Sequence, residues 1–315
     1  MKKVLIIYVL LSIVLALSCT AQPTAPANNS ATIRAAPTSD EQLVALSKRI
    51  EQIASTAKGH IGVEAVILET GQSVSFNSHD HFPMQSVYKF PIAMTVLRQI
   101  DEGKINLDQK IRVEKSDFVG EAQHSPLRDQ FPNGADVTIG ELLRLAVSES
   151  DGTASDMLLR LAGGFRAVQT YLGELKVNEM IVLDTEKELG QDQAAQYRNW
   201  ASPEGGVALL RAFYEKRGLS EKSTELLIKL MTETLTGQKR LKGLLPAGTI
   251  VAHKTGTSGT KDGITAATND IGIINLPNGN HLAIAVFVAD SPADETTREK
   301  VIAEAAKAVW DQWSN

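Results

Sequence analysis

Apolar positions recur at Leu43, Leu46, Ile50 and Ile53, the spacing of one helix face, and Ser39-Asp40 ahead of them supplies an N-cap. This predicts a helix to about Lys58. The pattern then changes to that of strands over Ile61 to Leu68 and Ser73 to Phe76, with Gly71 in the turn between them. From Pro83 to about Leu235 it is mainly helical. Pro91 to Leu97 is apolar throughout and predicted to be buried, and Gly103 ends that helix. Thr138 and Glu141 stand at capping-box spacing at the start of another. A further apolar helix spans Asp151 to Leu161 and stops at Gly163-Gly164. Residues 183–203 lack a clean period and contain Gly190 and Pro203, so a long ordered loop is predicted, of the kind that often carries function. After Gly243, strands are predicted at Thr249 to Lys254, Asp270 to Asn275 and His281 to Asp290, with a turn at Pro277-Asn278-Gly279-Asn280. A helix from about Asp294 to Trp313 closes the chain.

Strands thus come from both chain ends, with a helical block between them. The expected class is α/β + α: an antiparallel sheet flanked by terminal helices (39–82 and 236–315), plus an inserted all-helical lobe (83–235). The cleft at their junction is the expected site.

Composition narrows this picture at the N-terminus. Lys2 and Lys3 precede an apolar run from Val4 to Leu17, followed by the small residues Ser18, Cys19, Thr20 and Ala21. That is a secretion signal over 1–18, with cleavage up to residue 21. The run is short for a membrane span, so an anchor helix is the lesser reading, and the mature chain is expected to have no span. Cys19 is the single cysteine, which excludes an internal disulfide. Two fates stay open: lipidation at Cys19, against which Ala16 counts, or nearby cleavage that releases a soluble periplasmic protein. Residues 19–38, rich in Pro, Ala, Asn and Thr, read as a flexible tether. The remaining chain, 39–315, supports a large core, with 43% hydrophobic content over the 315 residues. A net charge of −5 without basic clusters excludes a nucleic-acid partner. Nothing marks an oligomer interface, and a monomer is expected.

Three strings carry chemistry: Ser86-Val87-Tyr88-Lys89, Ser148-Glu149-Ser150-Asp151-Gly152 and Lys254-Thr255-Gly256-Thr257. Residues three apart share a helix face, so Lys89 can relay a proton from Ser86 at a helix start. Ser-x-x-Lys alone is a frequent coincidence. Ser150 can pass a proton to a leaving nitrogen, or simply cap the next helix. Lys254 and Thr255 suit a substrate carboxylate, and Gly256 lets a substrate lie against the strand edge. The N–H groups of Ser86 and Thr257 can form an oxyanion hole. Arg240 is either a second carboxylate ligand or a solvated surface charge.

In order and spacing these strings resemble the class A serine β-lactamases over essentially all of the mature chain. Gln85-Ser86-Val87-Tyr88-Lys89-Phe90, Gln196-Tyr197-Arg198-Asn199-Trp200, His253 to Gly259 and Thr265 to Gly272 resemble the PER/VEB-like extended-spectrum subgroup. The resemblance implies the serine β-lactamase/DD-peptidase-like fold. It also implies hydrolysis of penicillins and cephalosporins through an acyl-serine, without metal or cofactor, and hence antibiotic resistance. Ser86 would be the nucleophile, Lys89 and Ser150 the proton relay, and Glu186 the base that activates the deacylating water. Whether Lys89 or Glu186 is the base for acylation stays open, and Glu188 is a rival for the role of Glu186. Lys254, Thr255, Gly256, Thr257, Arg240 and Gly152 would contact substrate.

Some positions depart from the family. Gly152 stands where Asn is usual after Ser-Asp, and Gly190 where an Asn often helps place the water. Asp184 and Asn199 occupy the places of the common Arg–Asp clamp, which predicts an unusual loop, and the subgroup resemblance implies a wider pocket that tolerates bulky cephalosporin side chains. Two rivals share the serine–lysine chemistry. A DD-peptidase or penicillin-binding protein would lack a carboxylate like Glu186, and a non-catalytic β-lactam sensor would usually carry a transmembrane module.

Overall fold

Residues 282–289, Leu-Ala-Ile-Ala-Val-Phe-Val-Ala, are apolar without a break, and each one is buried. A strand with that pattern is covered on both faces. In the computed structural model, which describes residues 40–191 and 193–314, it is the middle of a six-stranded antiparallel sheet. The order is Ser73–Phe76, His60–Ile67, His281–Ser291, Ile264–Asn275 and Val251–Thr257, with Thr260–Lys261 paired to the start of Ile264–Asn275. Leu282, Ile284, Val286 and Val288 pack with Leu46 and Ile50 of helix Asp40–Ser55 and with Val301, Ile302 and Val309 of helix Glu295–Trp313. The alternate residues Ala283, Ala285, Phe287 and Ala289 face the second core cluster, with Val207 and Leu210 of helix Pro203–Tyr214. Small residues let that helix approach: a Cβ on Gly206 would lie 3.1 Å from Ala285 Cβ.

Helix Lys89–Asp101 is the axis of the helical block, and its residues from Lys89 to Leu97 are all buried. Ile139–Ser148, Gly152–Ala162, Gly164–Glu174 and Glu221–Thr232 contribute to the same core. A sheet flanked by terminal helices with a helical block is the architecture the hydrophobic pattern predicts. Among the described residues no helix is long and apolar enough to cross a membrane. The predicted leader, Cys19, the tether and the Ser39 cap lie outside the described residues.

Local predictions need four corrections. Asp151, not Ser150, caps the Gly152–Ala162 helix, its Oδ1 accepting from Ala154 N at 2.8 Å. The Thr138–Glu141 box is half formed: Thr138 accepts from Glu141 N, but the Glu141 carboxylate turns to Arg144. Residues 183–203 are not a plain loop; they carry helix Glu186–Leu189, a 3-10 turn Gln193–Tyr197 and strand Trp200–Ala201. Strand Ile264–Asn275 starts six residues before the expected Asp270. Thr265, Thr268 and Asn269 interrupt the apolar pattern yet are fully buried, because their polar groups have partners: Asn269 Nδ2 donates to Pro83 O at 2.7 Å, and Thr268 Oγ1 accepts from Arg298.

Candidate active site

Ser86 sits in a 3-10 turn, Gln85–Tyr88, that runs straight into helix Lys89–Asp101. The main chain before it is fixed on three sides. Met84 N donates to Asn199 O, Asn269 holds the Pro83 and Met84 carbonyls, and Gln85 adopts φ +48°, a conformation strained by about 1–2 kcal/mol for a residue with a Cβ. Edge strand Val251–Thr257 lies beside this turn. A Cβ on Gly256 would stand 2.2 Å from Met84 O, so glycine is needed there for the turn itself. The small size of Gly256 therefore has a cause within the protein itself, besides the room it was expected to leave for substrate.

Ser86, Ser150, Glu186, Thr236, Thr255 and Thr257 line one cleft of about 550 Å³. Behind it runs a buried polar chain. Lys89 Nζ donates to Ser150 O at 2.7 Å and stands 3.1 Å from Glu186 Oε2. Lys254 Nζ donates to Ser150 Oγ at 2.9 Å and to Thr255 O at 3.0 Å. Ser150, at φ +61°, thus offers its carbonyl to one lysine and its hydroxyl to the other. Lys254 is fully buried; burial, then Lys89, pushes its ammonium well below the usual lysine range despite Asp270 and Glu186. Burial pushes the Glu186 carboxyl up, but Lys89 and the Tyr88 hydroxyl outweigh it, and the group titrates below an ordinary glutamate. Tyr88 donates to Glu186 Oε2 at 2.6 Å, and burial followed by that negative charge keeps its phenol protonated.

Glu186 owes its place to side chains from elsewhere. Asp156, on helix Gly152–Ala162, accepts from Glu186 N at 2.7 Å and Lys187 N at 3.0 Å, so it caps the four-residue helix from below. Burial raises Asp156 to about 7 against those two bonds. Thr185 and Glu188 close the same helix with a capping box, which leaves Glu188 exposed on its outer side. At the loop's base, Phe82–Pro83 and Met180–Ile181 both pair with Trp200–Ala201.

Three departures take on a different meaning. The loop has an Asp–Arg clamp after all: Arg198 makes two 2.7 Å bonds to Asp184. Asn199 Oδ1 meanwhile accepts from Leu183 N and Asp184 N. The space cleared by Gly152 is taken by Glu186, whose Cγ lies 2.6 Å from where a Cβ would be. The space over Gly190 is taken by the Gln123 amide, at 2.4 Å. Neither glycine widens the cleft.

Arg240 is 3% exposed, which rules out a solvated surface charge. Its guanidinium donates to Gly256 O, Asn269 O and Thr257 Oγ1, the last at 2.8 Å, and pairs with Glu299. Its contact with the cleft runs through the Thr257 hydroxyl. Thr255 Oγ1 lies 2.6 Å from Thr236 Oγ1. Sequence reasoning missed Tyr88, Gln123, Asp156, Thr236 and Asn269. Tyr88 lay inside a motif as a spacer, and Asn269 inside the Thr265 to Gly272 string without a role.

Residues 45–313 match the model of the beta-lactamase enzyme family. The beta-lactamase VEB-1 of Pseudomonas aeruginosa is 42% identical over 279 residues, 88% of this chain and 93% of that protein. The extended-spectrum beta-lactamase PER-1 of the same organism is 42% identical over 265 residues, 84% of this chain and 86% of that one. The solved structure of the TLA-1 extended-spectrum beta-lactamase superposes with a TM-score of 0.84 at 44% identity, covering 87% of this chain and 100% of that one.

Proposed function

Since the chain belongs to the class A serine β-lactamases, in the PER/VEB-like subgroup, we propose a role for each residue gathered in the cleft. The enzyme hydrolyses the β-lactam amide through a covalent acyl-serine intermediate and confers antibiotic resistance. In acylation, Ser86 Oγ bonds to the lactam carbonyl carbon and the C–N bond breaks. The serine proton passes to Lys89 or Glu186 and reaches the leaving nitrogen through Ser150. The oxyanion is met by the N–H groups of Ser86 and Thr257. In deacylation, Glu186 takes a proton from water as its oxygen attacks the ester carbon. The C–Oγ bond breaks, and the proton returns to Ser86 by way of Lys89.

The observation that carries these assignments is the unbroken chain of polar contacts from Glu186 through Lys89 and Ser150 to Lys254, beside Ser86 in the same cleft. The depressed Glu186 carboxyl suits a base that must be ionised at neutral pH. Lys254 and Thr255 anchor the substrate carboxylate, with Gly256 and Thr257 along the strand edge. Arg240 supports that anchor from behind Thr257. Gly152 is buried behind the cleft, its N–H donating to His124 O at 3.0 Å, and it acts by leaving room for Glu186.

PER-1 and TLA-1 are extended-spectrum enzymes, and we extend that range to this chain. Bulky cephalosporin side chains would sit at the mouth lined by His124, Gln196 and Ser258. Residues 1–18 are a signal peptide, and the mature monomer acts in the periplasm, freed or lipid-anchored at Cys19. The mass of the mature N-terminal peptide distinguishes the two.

Intact-protein mass spectrometry during turnover of a chromogenic cephalosporin tests the roles. Wild-type enzyme should turn over with little adduct. Ser86→Ala should give no adduct at all. A stable one-to-one adduct on the wild type would overturn the part given to Glu186.

A further inference from the structure

We infer that Gln123 is a positioning residue for deacylation: its side-chain amide, part of the cleft lining, fixes the Glu186 peptide and occupies the volume that a side chain at position 190 would need. The inference rests on Glu186 being the deacylation base. The amide orientation is fixed at one end, because Gly120 N–H donates to Gln123 Oε1 at 3.0 Å. Nε2 is therefore the end aimed at the Glu186 carbonyl, to which it donates. The turn that presents Gln123 is itself tied down. Arg128 Nη1 donates to the carbonyls of Val119, Gly120 and Gln123, and Gln123 N donates to Gly120 O.

Both sides of the Glu186 residue are thus restrained by side chains, the N–H by Asp156 and the C=O by Gln123. Glu186 also sits opposite Gly152, whose missing Cβ makes room for its Cγ. Gly190 is complementary to this arrangement. Any Cβ there would lie 2.4 Å from Gln123 Cδ and Oε1, so a side chain at 190 and the bridging pose of Gln123 exclude one another. The loop is positioned by a side chain of the neighbouring 119–128 segment in place of one of its own.

The test is the decay rate of preformed acyl-enzyme, followed by intact mass, together with steady-state kinetics. Gln123→Ala should slow decay roughly tenfold and lower kcat and KM together, leaving kcat/KM within about twofold, because kcat/KM ends at acylation. Gly190→Ala displaces Gln123 without altering it. It should reproduce the effect, and Gln123→Ala/Gly190→Ala should be no slower than either single variant. Decay at the wild-type rate in Gln123→Ala would overturn the inference. So would additive effects in the double variant, or a fall in kcat/KM as large as that in kcat. Glu186→Gln separates the premise from the inference. If it turns over normally, the role of Glu186 fails; if it traps adduct while Gln123→Ala does not slow decay, only the role of Gln123 fails.

Discussion

Ser86 and Lys254 stand on a helix start and an edge strand whose main chains lock directly together, whereas Glu186 stands on a four-residue helix restrained by Asp156, Gln123 and Tyr88. On the first wall the contact is backbone against backbone, as at Gly256 and the Met84 carbonyl. Packing of that kind tolerates substitution of neighbours but not the addition of a methyl group. On the second wall each restraint is a side chain that one substitution can remove. Acylation should therefore be the robust half-reaction and deacylation the fragile one.

Glu186→Gln gives the sharpest contrast. The rate constant for deacylation should fall on the order of 10³-fold while labelling of Ser86 continues, read as trapped adduct by mass spectrometry. Gly256→Val attacks the other wall. It should cost about 1–3 kcal/mol of stability in urea denaturation and slow acylation, with no build-up of adduct. Accumulated adduct in that variant would break the division between the walls.

The two walls also differ in pH response. Lys254 loses its proton well below the ordinary lysine value, because burial opposes its charge. KM should rise on the alkaline side before that value is reached, and Lys254→Arg should move the rise upward. In the same window the unfolded chain holds more protons than the folded one, so this group makes stability increase with pH. Glu186 has the same sense, at the acid end of the range. Its depressed carboxyl adds stability above the unfolded glutamate value, which is lost as pH falls through the folded one, and deacylation should fail only at that lower pH. The smallest effect is expected at the Asp184–Arg198 clamp. Arg198 is 47% exposed, so Arg198→Ala should cost less than about 1 kcal/mol of stability, with decay of the adduct changed less than the Gln123 variant changes it.

The first wall was legible because its chemistry is local. Ser86 and Lys89 are one helical turn apart, and Lys254 to Thr257 are consecutive on a strand. The second wall was not, since Tyr88, Gln123 and Asp156 come from three stretches with no common spacing, and only folding brings them to Glu186. Glycine was the least readable residue. Gly152 and Gly190 read as missing Asn side chains, but each leaves a space that a neighbouring side chain fills; Gly256 read as room for substrate and also leaves room for a carbonyl. Asn269 hid for a related reason, because a buried amide inside a strand breaks the apolar alternation that marks the strand.

The sheet sets its first long strand against its last, with His60 paired to Ala289 and Ile67 to Leu282. A ribosome that has completed the whole helical block has still not made the partner of His60–Ile67. Until residue 281 emerges, that strand has only the four residues Ser73–Phe76 beside it. Loop closure across most of the chain makes such pairing slow. The nascent protein therefore stays open until the strand around residues 281–291 has been made, which is the state a chain needs if it is to be threaded through a translocation pore before it folds.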